Sequence, residues 1–281
     1  MNAPWQAVRR FVRNTRGRDF VVGDIHGAYD LVIQAMKSAR FDPAVDRLFV
    51  PGDLVDRGEE SMRARRFLRQ GYVHCSRGNH EQWWIDMYAD GRPQNEVVAA
   101  MGRGMGVGWW LNSAPADADE LVDLFRALPL AMEIETERGV VGVVHADVPS
   151  GMNWDEFVQA LERGDRDVVR AAQWGRARIN AGDASGVPGI DRVFVGHTPQ
   201  WGGLKQLGNV FAVDTGAIFG MSAGTLEEGR LTMALMVAAT GPLVAAKDRL
   251  DTPGLVDLRD ALPASGQPFG SYAVLAAEQG Q

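Results

Sequence analysis

Cysteine is nearly absent from this sequence: Cys75 is the single thiol among 281 residues. One cysteine cannot form an internal disulfide, and its place in an apolar run favours a packed small side chain over a nucleophile. Long apolar runs are also absent, both at membrane-spanning length and as a secretory signal near the first residues. These absences predict a soluble, cytoplasmic protein with no membrane partner.

The sequence also has no excess of basic residues over acidic ones. The formal net charge is -7 and the isoelectric point is near 5.3. Proteins that bind nucleic acids in general are usually basic and carry a positive patch or stripe. The charge balance therefore excludes a general nucleic-acid binder, and we expect no nucleic-acid partner.

A dinucleotide-binding fingerprint is a further absence. Glycines recur at every second position from 102 to 108. No strand precedes them and no clear helix follows them, as a nucleotide-binding glycine loop requires. This segment is interpreted either as a flexible loop or as a lip of an active site, and both interpretations stay open.

Polar clusters that directly follow short apolar runs are the feature that the sequence does have. Such a run ended by Pro or Gly predicts a buried strand, and open α/β sheets place ligands at the carboxyl ends of their strands. Four of the five histidines stand in these clusters. Each histidine alone is more often a structural residue than a ligand. Together the clusters supply Asp24, His26, Asp53, Asn79, His145 and His197.

These six side chains have the chemistry of a site for two metal ions. Imidazole, carboxylate and amide oxygen without thiolate suit manganese, iron or zinc. One oxygen of Asp53 on each ion would bridge the ions at about the 3.5 to 4 Å separation of two-metal sites. The sequence therefore predicts a dinuclear centre built around Asp53.

The periodicity of apolar residues predicts alternating strands and helices, followed by hairpins. Leu121, Leu124, Phe125 and Leu128 form one face of a helix at 117–128. The fold class expected from this order is α/β, with two mixed β-sheets packed face to face and helices outside. Further helices are predicted at 59–69, 154–163 and 166–174, a hairpin at 130–136 and 140–144, and strands near 204–207, 210–214 and 230–237.

The length of the chain would allow about two domains, although α/β folds of this size often form a single domain. We predict a single catalytic domain at 19–238, a basic N-terminal arm at 1–18 and an Ala-, Pro- and Gly-rich extension at 239–281. Short helices are expected at 4–13 in the arm and at 255–262 in the extension.

Three of the clusters match full motifs: GDIHG at 23–27, GDLVDRG at 52–58 and GNHE at 78–81. With these motifs the chain resembles the phosphoprotein phosphatase branch of the metallophosphoesterases, and within it the phage lambda type of serine/threonine protein phosphatase. The likeness covers residues 19 to about 238. It implies the calcineurin-like fold, a four-layer αββα sandwich.

The resemblance also implies roles for individual residues. It assigns one metal to Asp24, His26 and Asp53, and the other to Asp53, Asn79, His145 and His197. His80, oriented by Asp56, would be the proton donor. The substrate phosphate would be contacted by Arg57, Arg176 and Asn79.

The activity implied is that of a metal-dependent phosphomonoesterase, most simply a serine/threonine protein phosphatase. Two divalent ions, Mn²⁺ first with Fe or Zn as alternatives, would activate a hydroxide for in-line attack without a phosphoenzyme. The expected partner is a phosphoprotein or small phosphoester substrate. A diadenosine tetraphosphate hydrolase is the alternative within the superfamily. An inactive binding module on the same fold would need missing ligands, and none is missing.

Overall fold

The computed structural model describes residues 5–222, 229–237 and 255–257, with side chains described at 5–219 and 229–237. Its strands form two mixed sheets, and helices flank them. This arrangement confirms the predicted fold class. Among the residues described, no helix is both long enough and apolar enough to cross a membrane.

One sheet has five strands and carries the first three motifs. The strand order is β11-β10-β2-β3-β4, with β2 at Asp19–Val22, β3 at Arg47–Val50, β4 at Val73–Cys75, β10 at Thr232–Leu235 and β11 at Leu255–Asp257. The parallel strands β2, β3 and β4 lie side by side, so their carboxyl ends meet at one edge of the sheet. Strands β10 and β11 extend the sheet in antiparallel pairing beyond β2.

The other sheet has six strands and carries the two remaining clusters. The strand order is β1-β5-β6-β7-β9-β8, with β1 at Val8–Phe11, β5 at Ala131–Thr136, β6 at Gly139–Val144, β7 at Arg192–Val195, β8 at Lys205–Leu207 and β9 at Val210–Ala212. Strands β6, β7 and β9 run parallel, and the predicted hairpin is the antiparallel pair β5 and β6.

Successive side chains of each strand point to opposite faces of its sheet, and this alternation explains how the layers of the fold pack. Within β2, Phe20 and Val22 pack on the helix-covered outer face, whereas Val21 faces the opposite sheet. Val21 and Phe49 of the five-stranded sheet join Val141, Val143 and other residues of the six-stranded sheet in one cluster. Each fully buried side chain of this kind contributes about 1.5 to 3 kcal/mol. The two sheets are therefore held together face to face by apolar burial.

Helices cover the outer faces. The helix predicted at 117–128 is found at Pro115–Arg126, with Pro115 in its first turn and Leu121, Val122 and Phe125 fully buried. The helices are α1 at Tyr29–Ser38, α2 at Ala64–Phe67 after a 3₁₀ turn at Glu59–Arg63, α3 at Asn79–Met87, α4 at Asn95–Met101, α5 at Gly108–Leu111, α6 at Pro115–Arg126, α7 at Trp154–Glu162, α8 at Arg166–Trp174, α9 at Ala177–Ala181 and α10 at Ala217–Ser222.

Two predicted helices are wrong. Residues 8–11 form β1, the edge strand of the six-stranded sheet, which pairs in parallel with β5. Residues 255–257 form β11 on the edge of the other sheet, while 258–262 lie outside the described residues. In both segments a neighbouring strand offers backbone hydrogen bonds along its edge, and this tertiary pairing outweighs a weak helical pattern. The boundaries of the catalytic domain stay a prediction.

Candidate metal centre

The carboxyl ends of the parallel strands in the two sheets lie next to each other, and this brings the five clusters together. The backbone N–H of His197, after β7, donates to Asp24 Oδ2, after β2, over 2.8 Å. Within the six-stranded sheet, Gly196 N–H donates to the carbonyl of His145 over 2.8 Å. Loops from both sheets are thus hydrogen-bonded to each other around one site, with Asp53 after β3 and Asn79 at the start of α3.

Three of the predicted ligands have a left-handed backbone: His26 at φ 45°, Asp53 at φ 53° and His197 at φ 68°. This region is uncommon for residues other than glycine. Each such residue costs about 1 to 3 kcal/mol, and it persists only where surrounding contacts compensate for that strain. A concentration of strained residues at one point is typical of functional sites.

Glu81 supports this strained backbone. Its carboxylate accepts backbone hydrogen bonds from Asp53 and Gly78 at one oxygen, each over 2.9 Å, and from Leu54 at the other over 2.8 Å. Burial together with the negative charge of Asp53 raises the pKa of Glu81 to about 7. Sequence reasoning gave Glu81 no role. Its place as the last residue of the third motif was the only signal.

Asp53 stands at the centre of the ligand atoms. Its Oδ2 lies 3.5 Å from His26 Nε2 and 3.9 Å from His80 Nε2, and its Oδ1 lies 3.3 Å from His145 Nε2. Among the described residues, two groups bring one ligand atom of each member within 4.8 Å of the others: His26, Asp53 and His80, and Asp53, His145 and His197. Asp53 belongs to both groups, as a bridging ligand must.

Asn79 completes the second group. Its Oδ1 lies 2.8 Å from His145 Nε2 and 2.9 Å from His197 Nδ1. On the other side of the site, His26 Nδ1–H donates to the carbonyl of Val55 over 2.8 Å, which leaves Nε2 turned toward Asp53. These contacts fix the ring orientations of the histidines, as the partners of metal ligands commonly do.

The electrostatics of the site fit bound cations. Burial and neighbouring carboxylates raise the pKa of Asp24 well above its ordinary value and that of Asp214 to about 6. Burial lowers the pKa of His26, and it lowers that of His197 to about 3, so both imidazoles are neutral, as ligands must be. Asp24 Oδ1 is buried without a hydrogen-bond partner in the described part of the chain. Crowded acids, neutral imidazoles and an unpaired oxygen are the environment that two divalent ions would satisfy.

His80 and Asp56 form a buried pair. His80 Nδ1 lies 2.7 Å from Asp56 Oδ2. Burial lowers the pKa of His80, but the charge of Asp53 and the contact with Asp56 outweigh it, so the pKa is raised. Asp56 Oδ1 accepts hydrogen bonds from the indoles of Trp84 and Trp109 over 2.9 and 2.7 Å. The imidazole is therefore held with its Nε2 toward Asp53.

Both predicted arginines stand at the exposed mouth of the site. Arg57 has a left-handed backbone at φ 65°, and its guanidinium lies 5.2 Å from the centre of the Phe219 ring. Arg176 Nε donates to His197 Nε2 over 3.1 Å. Phe219 was not predicted, because nothing in its local pattern distinguishes it from a core residue. Two exposed guanidinium groups beside buried acids and imidazoles are suited to an anionic substrate.

Arg178 is a further residue that sequence reasoning missed. Its side chain is 1% exposed, and its Nε lies 3.2 Å from Asp147 Oδ1. Its backbone N–H donates to Asp147 Oδ2 over 3.1 Å, and a second guanidinium nitrogen donates to the carbonyl of Val148. The loop that carries His145 is thereby anchored to α9.

A groove of about 940 Å³ runs between α3 and α8 beside the site. Trp174 lines it, half exposed, with its ring centre 5.9 Å from that of His197. The groove is open and carries charges of both signs. Its other lining residues are Gln82, Asp86, Gly164, Arg166, Asp167, Val169, Arg170, Ala171, Gln173 and Gly175.

Comparison with known proteins gives a consistent result. The calcineurin-like phosphoesterase family model matches residues 20–201. Serine/threonine-protein phosphatase 1 of Salmonella typhimurium is 30% identical over 239 residues, which are 83% of this chain and 99% of the relative. A symmetrical bis(5'-nucleosyl)-tetraphosphatase of Sodalis glossinidius is 33% identical over 141 residues, which are 48% of this chain and 44% of the relative.

Among solved structures, a protein serine/threonine phosphatase from Saccharomyces cerevisiae superposes with a TM-score of 0.53 at 16% identity. The match covers 90% of this chain and 83% of that one. At this identity the likeness supports the fold alone.

Proposed function

Because the chain belongs to the calcineurin-like phosphoesterase family, we propose that it is a metal-dependent phosphomonoesterase acting on phosphoserine or phosphothreonine in proteins. The observation that carries this proposal is the pair of ligand groups that share Asp53, flanked by Arg57 and Arg176. Imidazole, carboxylate and amide ligands suit Mn²⁺, with Fe or Zn as alternatives.

The residues divide the work of phosphoryl transfer. When bound, two divalent ions supply a water of lowered pKa and positive charge that offsets the charge of the phosphoryl oxygens. Arg57 and Arg176 hold the phosphoryl group from the exposed side, since guanidinium groups match its oxygens bidentately. His80 gives its proton to the leaving oxygen, while Asp56 keeps the imidazole charged and oriented.

Two observations support a polypeptide substrate over a dinucleotide. The chain covers 99% of the protein phosphatase relative but 44% of the tetraphosphatase relative. The groove beside Trp174 is open rather than enclosed, and it begins at Gln82, two residues after the proposed proton donor. A polypeptide leaving group can extend along such a groove, whereas a nucleotide is usually bound in a concave, mostly apolar pocket.

Removal of metal tests the proposal first. Thorough chelation should abolish hydrolysis of a phosphoserine peptide, and Mn²⁺ should restore it, because no other nucleophile stands in a recognisable motif. The measurement is phosphate release by protein whose metal content is known. Turnover by metal-free protein would refute metal dependence. Faster turnover of diadenosine tetraphosphate than of the peptide would replace the proposed substrate class by the alternative.

Charge reversal in the groove tests the substrate class separately. Arg170 is exposed and forms no ion pair within the described ranges. Arg170→Glu should raise KM about three- to tenfold for a phosphopeptide with acidic residues beside the phosphoserine, since exposed charge pairs are worth factors of this order. KM for 4-nitrophenyl phosphate should not change, because this ester is too small to reach Arg170.

Arg163→Glu is the matched control. Arg163 is also exposed and lies close to Arg170 in the sequence, but it does not line the groove. It carries the same charge change without altering the groove. Equal effects of the two variants on the peptide would show that only the net charge matters and that the groove does not hold the substrate.

A further inference from the structure

One segment touches both residues of the Asp56-Arg57 pair. Both residues have a left-handed backbone, at φ 70° and 65°. Two consecutive non-glycine residues in this region require support from their surroundings. The segment that supplies this support is residues 102–109, which we call the glycine segment.

The first contact is between backbones. Arg57 N–H donates to the carbonyl of Met105 over 2.8 Å. Gly106 packs directly against Arg57: a Cβ added to Gly106 would lie 2.4 Å from Arg57 Cα and 2.5 Å from Arg57 N. Gly106 also has φ +76°. Only glycine lets the segment approach Arg57 so closely in this conformation.

The second contact reaches the carboxylate of Asp56. Trp109 is 5% exposed, and its indole N–H donates to Asp56 Oδ1 over 2.7 Å. Trp84 donates to the same oxygen over 2.9 Å, and the two indole rings pack edge to face with centres 5.1 Å apart. With Oδ1 held by two donors, Oδ2 is presented to His80 Nδ1.

We infer that the glycine segment is a positioning element for the phosphatase reaction, an inference that rests on the proposed function. Through Trp109 it fixes the carboxylate that orients the proton donor. Through Met105 and Gly106 it fixes the backbone from which Arg57 reaches the phosphate. The indole N–H of Trp109 donates to Asp56, and Gly106 packs against Arg57. Neither partner is a candidate metal ligand, so each contact acts through its neighbour.

The two contacts predict two different kinetic effects. Loss of the Trp109 N–H leaves Asp56 Oδ1 with the Trp84 indole alone, so the carboxylate is held less firmly and the imidazole of His80 is less well aligned with the leaving oxygen. That loss matters only when the leaving group needs a proton. Displacement of the Arg57 backbone weakens the hold on the phosphoryl group, which is the same in every substrate, so its effect is independent of the leaving group.

Trp109→Phe tests the first contact, because it keeps an aromatic ring and removes the N–H. The variant should lose about tenfold in kcat on phenyl phosphate, as outer-shell partners of active groups typically cost, and much less on 4-nitrophenyl phosphate, whose leaving anion is stable. Trp110→Phe is the matched control, since the Trp110 indole donates to Tyr88 Oη instead of Asp56. It should leave both rates unchanged.

Gly106→Ala tests the second contact. It should lower kcat on both esters alike, by about the 10²-fold that a small misplacement near the reacting atoms can cost. Gly104→Ala is the matched control, because Gly104 also has positive φ, +82°, but its added Cβ would meet nothing within 4 Å in the described part of the chain. It introduces the same backbone strain without the contact to Arg57.

Metal content and thermal unfolding are measured for all four variants. The inference would be overturned if Trp109→Phe lost equally in kcat on the two esters, or if Gly106→Ala and Gly104→Ala lost equally. In either case, activity of the wild-type protein would leave the proposed function standing. Loss of metal from the Trp109 or Gly106 variant would also overturn it, because the segment would then support the metal centre. Wild-type protein inactive on both esters when loaded with Mn²⁺ would refute the proposed function, and the inference with it.

Discussion

Replacing Asp53 by asparagine is expected to remove both metal ions and to lower kcat by at least about 10³-fold, since charge stabilisation of a transferred phosphoryl group is worth about 10³ to 10⁵. Asp53 is the member common to both ligand groups. Burial opposes its ionisation, but His145 and His80 hold the pKa of Asp53 well below its ordinary value, so the carboxylate stays charged at neutral pH. Asparagine has the same shape without that charge.

The bridging role of Asp53 distinguishes it from other residues of the site. Asn79→Ala should weaken the binding of mainly one ion, because Asn79 Oδ1 lies beside His145 and His197, which belong to one ligand group. Asp214→Asn makes the same chemical change at a buried acid that belongs to neither ligand group, and it should retain both ions. Elemental analysis of metal per chain decides the comparison. Equal metal loss in the Asp53 and Asn79 variants would contradict the bridge.

Replacing His80 by asparagine is the second change with a large expected effect. On a phosphoserine peptide kcat should fall by roughly the 10² to 10⁴ typical of a general acid. On 4-nitrophenyl phosphate the loss should be much smaller, because nitrophenolate departs without a proton whereas a serine alkoxide needs one. His80 belongs to the ligand group of His26 and Asp53, but the family resemblance assigns Asp24 instead of His80 to that ion, and His80 Nε2 lies 3.9 Å from Asp53 Oδ2 whereas His26 Nε2 lies 3.5 Å from it. Both ions should therefore stay bound.

Two further variants separate proton donation from phosphate binding. Asp56→Asn should also lose more kcat on the phosphoserine peptide than on 4-nitrophenyl phosphate. The difference should be smaller than for the His80 variant, because Asp56 acts only through the imidazole. Arg57→Ala should lose on both substrates alike. The rates must be limited by chemistry, since slow product release would hide the difference. A His80 variant impaired equally on both esters with unchanged metal content would assign His80 to phosphate contact instead of proton transfer.

Elements with a strong local pattern were predictable. The helix at Pro115–Arg126 and the hairpin of β5 and β6 lie where the apolar periodicity placed them. The segments that became β1 and β11 were predicted as helices, because each is short and its pattern is ambiguous. Their conformation is decided by pairing with β5 and β10, which lie outside any local sequence window; β5 in particular is more than a hundred residues from β1.

The sequence by itself determined the chemistry of the candidate site. Each ligand type directly follows a short apolar run, and runs that form parallel strands bring their carboxyl ends to the same edge, so local pattern was enough to collect Asp24, Asp53, His145 and His197. The tertiary structure alone decided which atoms face each other. Trp109 meets Asp56 from 53 residues away, and Glu81 meets the Asp53 backbone from 28 residues away. Such contacts depend on strand register and on the close packing of loops from different elements, which no pattern of neighbouring residues encodes.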